Sequence, residues 1–347
     1  MIDLKERINR RRLMLADRLL TFCLDRRINN VPLVNIIFFV YQHLVKGVYV
    51  SEYIEDAKHH YIPKFLLRKF KVKDTGLIYQ YTYFELPKTV SVEKEVAFVK
   101  ELYTFTEKES KAPSGFLEKQ LFAYTLEKYA SRIINKILKE DQLDLTFLEE
   151  SIITSFVSFQ YIRTPKFLSH IKSVLEYLSL SQKISIKEMV EDDFYFQVFF
   201  ENKYKIVPQD LGKFGLYNKF ELMGAENLIL KIATQIGDHL SGIIYKRNMR
   251  MLEVVEPGFF YLSDSPVDIF NLSRARSVGP FLWELKEEVL FFLPITPYRC
   301  LYYIPQGYDI KPGIIGNITS IAIPDSIFQF AYSDRNSSSI NDKFSVE

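Results

Sequence analysis

The texture of the chain changes near residue 250, and that change limits the possible folds more than any other feature. Before it, apolar residues recur at helical spacing over long segments. After it, short apolar runs at 251–256, 258–262, 289–294 and 299–304 are separated by Pro and Gly, the pattern of antiparallel strands. Helices that precede strands do not build an alternating parallel βαβ sheet. The expected class is α+β, mostly helical with a small antiparallel C-terminal sheet.

Local signals place the elements. Residues 3–27 predict an amphipathic helix and 33–46 a second, so 1–55 reads as an N-terminal helical hairpin module. A main domain is expected over 56–335 and a frayed polar tail over 336–347. Within the main domain, Pro63 opens a short helix at 63–71, and 77–84 alternates like a strand. The stretch 92–105 is ambiguous. Helices are expected at 114–140 with Ser114 as cap, and at 144–164 with Asp144 as cap and Pro165 ending it. Others are expected at 166–181, 186–201, 224–246 and, interrupted by Pro324, 317–332.

A formal net charge of +2 argues against a general nucleic-acid coat but allows a local basic site. Two cysteines, Cys23 and Cys300, make a disulfide scaffold untenable and point to a reducing cytoplasm. The most apolar stretch, Val31 to Val50, contains Pro32, Asn35, Gln42, His43 and Lys46, so no membrane span is expected.

The strongest local signal is KHHYIPKFLLRKFKVK at 58–73. It holds six Lys or Arg, two His and no acid, with Tyr61, Phe65 and Phe70 interleaved. Lys64 and Arg68 stand four apart on the predicted helix, whose N–H groups favour anions. The expected ligand is a phosphate or carboxylate lying across the first turn. The alternative is a half-buried helix whose histidines cap or pack and whose cations are solvated. His43, His170 and His239 show no metal-ligand spacing, so neither metal nor cofactor is expected.

In the 144–164 segment an apolar stripe runs Leu145, Leu148, Ile152, Phe156, Phe159, and its next position is Arg163, with Gln160 beside it. An interior guanidinium must be paired or bound to an anion. It therefore faces a ligand, bridges an Asp or caps carbonyls. The turn Ser263-Asp264-Ser265-Pro266 supplies the best-placed acid, Asp264.

These segments, in this order, resemble the bacterial family called domain of unknown function 4238. The resemblance rests on His59-His60-Tyr61-Ile62-Pro63 with Phe65, Leu67-Arg68 and Phe70, then Gln160-Tyr161-Ile162-Arg163-Thr164-Pro165, then Ser263-Asp264-Ser265-Pro266. Pro294-Ile295-Thr296-Pro297 and Asn317 complete it, over roughly 57–335. Ser265 departs from the family's usual Asn. Ile295-Thr296 stands where the family has Leu-Ser. The resemblance implies no agreed activity. Scattered bacterial membership is compatible with accessory roles such as phage defence or toxin-like systems.

Two functions are expected to compete. In the first, a metal-independent phosphodiesterase or nuclease acts on RNA, with His59, His60, Arg163 and Asp264 catalytic and Lys64, Arg68, Gln160 and Ser263 binding phosphate. In the second, a non-enzymatic sensor or interaction protein uses the same cluster to bind an anion or nucleotide. The 1–55 hairpin would then recruit a protein partner.

Overall fold

A computed structural model of the chain describes residues 58–71, 76–82, 85–92, 96–104, 116–172, 225–254, 260–271, 276–277, 289–308 and 328–331. The hairpin expected over 1–55, the helix at 186–201, the cap at Ser114 and the tail 336–347 lie outside these residues. In chain order the elements are β1 (Lys58–His60), α1 (Lys64–Leu67) continued by a 3-10 turn (Arg68–Phe70), β2 (Leu77–Thr82), β3 (Glu85–Ser91) and β4 (Phe98–Lys100). A π-helix (Phe116–Glu127), α2 (Lys128–Glu140), α3 (Phe147–Ile162) and α4 (Ala225–Tyr245) follow, with 165–172 also helical. The remaining strands are β5 (Asn248–Glu253), β6 (Leu262–Ser263), β7 (Asp268–Asn271), β8 (Arg276–Ser277), β9 (Val289–Pro294), β10 (Arg299–Ile304) and β11 (Phe328–Ala331). Helices and antiparallel sheets make the architecture α+β, and four of the strands precede residue 101.

The chain forms two compact units, each discontinuous in sequence. The helical unit includes Glu101–Ile162 and Leu168–Tyr245. The sheet unit takes Lys58–Lys100, Arg163–Phe167 and the chain from Lys246 onward.

In the helical unit, α2 is amphipathic, burying Tyr129, Ala130, Ile133, Ile134 and Ile137. α3 is different: every residue from Ser151 to Ile162 is buried, so its apolar stripe does not define an inner face. Leu145, expected on that stripe, precedes the helix and is half-buried. The cap is Thr146, not Asp144. The Thr146 N–H donates to Glu149 Oε2 at 2.8 Å and the Glu149 N–H donates to Thr146 Oγ1 at 3.3 Å, a reciprocal pair that Asp144 does not make. Small residues let α3 and α4 approach closely. Ser155 Oγ lies 3.0 Å from Ser241 Oγ, and Ser158 Oγ donates to the Gly237 carbonyl.

In the sheet unit, five antiparallel strands run β5-β10-β9-β7-β8. β9 and β10 are central, and β9 is buried throughout because both its faces carry large apolar side chains. Phe260, Phe270, Leu290, Phe292, Cys300, Tyr302 and Ile304 form one core cluster against this sheet. The Pro294–Pro297 segment turns β9 into β10. Thr296 Oγ1 accepts the Tyr298 N–H at 3.2 Å and the Arg299 N–H at 2.9 Å, using the hydroxyl that Thr shares with Ser. A second sheet runs β3-β2-β11-β6. Here the structure corrects the described part, 328–331, of the helix expected at 317–332. Phe328–Ala331 is a strand, paired to β2 on one side and to β6 on the other. Two ready ladders outweigh a weak, proline-interrupted helical pattern.

Candidate functional site

β1 is three residues long, and a ribbon that short needs outside support. Its partner β4 pairs Lys58 with Lys100, His59 with Val99 and His60 with Phe98. The ribbon is extended by the Tyr61 N–H, which donates to the Ala97 carbonyl at 3.0 Å. Ala97 and Glu101 both carry a φ of 54°, so left-handed backbone bounds β4 at each end.

Arg163 supplies the rest of the support. It follows the last residue of α3, belongs to the sheet unit and is only 2% exposed. Its Nε–H donates to the Tyr61 carbonyl at 3.1 Å, and Nη2 donates to the His60 carbonyl. Thr164 steadies the turn that follows, its Oγ1 accepting the Phe167 N–H at 3.3 Å. Of the roles expected for Arg163, the carbonyl cap is the one these hydrogen bonds make.

Alternation along β1 turns its two histidines to opposite faces. His59 is buried, while His60 is half-buried with its ring centroid 6.0 Å from that of Phe98. Lys58 Nζ lies 4.5 Å from the Phe98 ring centroid. Burial pushes the His60 pKa down from 6.5 to about 4, helped by the charges of Lys64, Arg163, His59 and Lys58. No carboxylate stands among these causes.

The other expected site residues have the following places. Lys64 opens α1 and is half-buried, while Arg68 begins the 3-10 turn and is exposed. Four α-helical residues are too few for a helix-terminus anion site, and the Leu66 and Leu67 N–H groups both donate to the Pro63 carbonyl. Ser263 lies in β6, and its hydroxyl is used within its own turn, donating to the Ser265 carbonyl at 2.7 Å. Asp264 follows, and its charge acts on Tyr61. Burial first, and then Asp264, push the Tyr61 phenol above its usual range. Hydrogen bonds thus join Arg163 to the His60–Tyr61 backbone, while Asp264 is related to that opening through its charge on Tyr61. Gln160 is buried on α3, in the helical unit.

Residues 58–313 match the family described as protein of unknown function DUF4238. The chain belongs to that family. The match opens at Lys58, the first residue of β1, and takes in the Arg163 and Asp264 motifs. No curated protein and no solved structure matches the chain. Among the described residues, no group of three or more His, Cys, Asp or Glu could hold a metal ion, and no helix is long and apolar enough to cross a membrane.

Sequence reasoning missed Phe98 and Lys100, which join the site only through strand pairing. The alternation of β1 marks His60 and Lys58 as sharing a face, but nothing local announces the strand opposite.

Proposed function

We propose that this DUF4238 protein binds a phosphate-bearing anion, a nucleotide or RNA, around His60. One observation carries the proposal: the charged groups that act on the His60 imidazole are Lys64, Arg163, His59 and Lys58, all basic. Such a cluster gains by admitting negative charge. In this role Lys58 and Lys64 meet the anion, Arg68 adds to the field from the exposed turn, and His60 hydrogen-bonds it. Arg163 is a positioning residue acting through the His60 and Tyr61 carbonyls, and Asp264 through Tyr61. A cytoplasmic setting belongs to the same proposal, in keeping with a chain of only two cysteines.

A second reading is hydrolysis of RNA without a metal. An imidazole with a pKa of about 4 is neutral at pH 7 and able to accept a proton, though it is a weaker base than one whose pKa lies near 7. His60 would take the proton of the attacking oxygen while Lys58 and Lys64 offset the charge growing on the phosphate.

One experiment addresses both. Purified protein is titrated with labelled RNA and with a 5′-mononucleotide, in EDTA, and the RNA is then analysed for cleavage. Binding that His60→Ala and Lys64→Gln weaken, with melting temperatures preserved, is the expected result. Cleavage lost in His60→Ala would promote the second reading. No binding by wild type would sink both.

A further inference from the structure

The β1–β4 ribbon presents a face that no motif announces. Alternation puts Lys58 and His60 on one side of β1, and the register puts Phe98 and Lys100 opposite them on the same side. Lys58 and Lys100 are exposed, and His60 and Phe98 are half-buried. An aromatic ring therefore lies within a basic face, with Lys58 Nζ 4.5 Å from its centroid. Lys58 stands directly across from Lys100, so the two ammonium groups flank the ribbon at one end of this face. The ribbon is also held in place, through Arg163 on the His60 and Tyr61 carbonyls and the Tyr61 N–H on Ala97.

We infer that this face is a track for single-stranded nucleic acid, with Phe98 stacking on a base and Lys58 and Lys100 contacting backbone phosphate. The inference rests on the anion site at His60 and extends it from one phosphate to a strand. Two side chains on one face of β1 are about 7 Å apart, a separation suited to successive groups along an extended backbone. Stacking on an aromatic ring beside basic side chains tolerates any base, as single-strand sites require. An acidic peptide such as polyglutamate offers charge but no flat ring for Phe98.

The test is fluorescence anisotropy on the full chain with a labelled single strand of about 12 nucleotides, within the ~4–16 nucleotide span of such sites. A mononucleotide, the matching duplex and polyglutamate serve as competitors. The single strand is expected to bind more tightly than the mononucleotide. Lys58→Gln with Lys100→Gln should reduce the salt dependence by about 1.4 in log–log slope, at ~0.7 per phosphate contact. Phe98→Leu should weaken binding roughly 5- to 150-fold, with Phe98→Tyr close to wild type and melting temperatures as the folding control. Lys64→Gln reports on the His60 site alone. Mononucleotide binding that needs Lys64 but gains nothing from strand length overturns the track and leaves the anion site standing. No binding of either probe overturns both. An unchanged salt slope in the double variant, or equal competition by duplex or polyglutamate, also overturns the track.

Discussion

The Arg163 Nε–H donates to the main-chain carbonyl of Tyr61 at 3.1 Å, joining positions 102 residues apart. The side chain is buried, and Nη2 reaches the neighbouring His60 carbonyl. A planar guanidinium makes two such contacts from one rigid group, which an ammonium does not. The opening of the family motif is therefore held by its backbone, leaving the His60 ring to the ribbon face.

Arg163→Ala is expected to lower unfolding stability by roughly 2–6 kcal/mol, from two carbonyls that lose their donors at ~1–3 kcal/mol each. Arg163→Lys should fall between this variant and wild type. Urea unfolding with an unchanged m-value measures it. A midpoint that does not move in Arg163→Ala would rule out the capping role.

His60 should titrate near pH 4 by NMR, against 6.5 for an ordinary histidine. The sign for stability follows. Between these values the unfolded chain holds a proton that the folded ring does not, so stability falls as pH drops from 6.5 toward 4. His60→Gln should flatten that window. Added phosphate should raise the midpoint, because a bound anion favours imidazolium. A midpoint unmoved by phosphate and near 6.5 would contradict both the environment and the site.

Gly237→Ala should destabilise the helical unit by about 1–3 kcal/mol. An added Cβ would meet Ile162 Cγ1 at 3.0 Å and two Phe159 ring carbons at 3.2 Å. In an unobstructed helix interior the same change gains about 1 kcal/mol, so the sign of the change decides. Thermal or urea unfolding of the single variant reads it.

The sequence by itself determined what short-range patterns encode. β2, β9 and β10 fall where apolar alternation or short apolar runs predict strands, and α3 and α4 where helical spacing and a following proline or strand run predict helices. The Lys58–Phe70 segment is legible too, because its basic residues are clustered within a few turns of chain and its proline fixes the helix start. Tertiary structure decided the rest. Phe328–Ala331 is a strand because β2 and β6 both offer it ladders, and Phe328 pairs with Thr82 far earlier in the chain. Phe98 and Lys100 join the site because β4 lies antiparallel to β1, and a three-residue strand has almost no signature of its own. The stripe on α3 pointed Arg163 inward, but a helix buried all round has no single inner face. Propensity and periodicity act over a few residues. The partners that satisfy a buried guanidinium, or complete a strand pair, are chosen by the packing of segments many tens of residues apart.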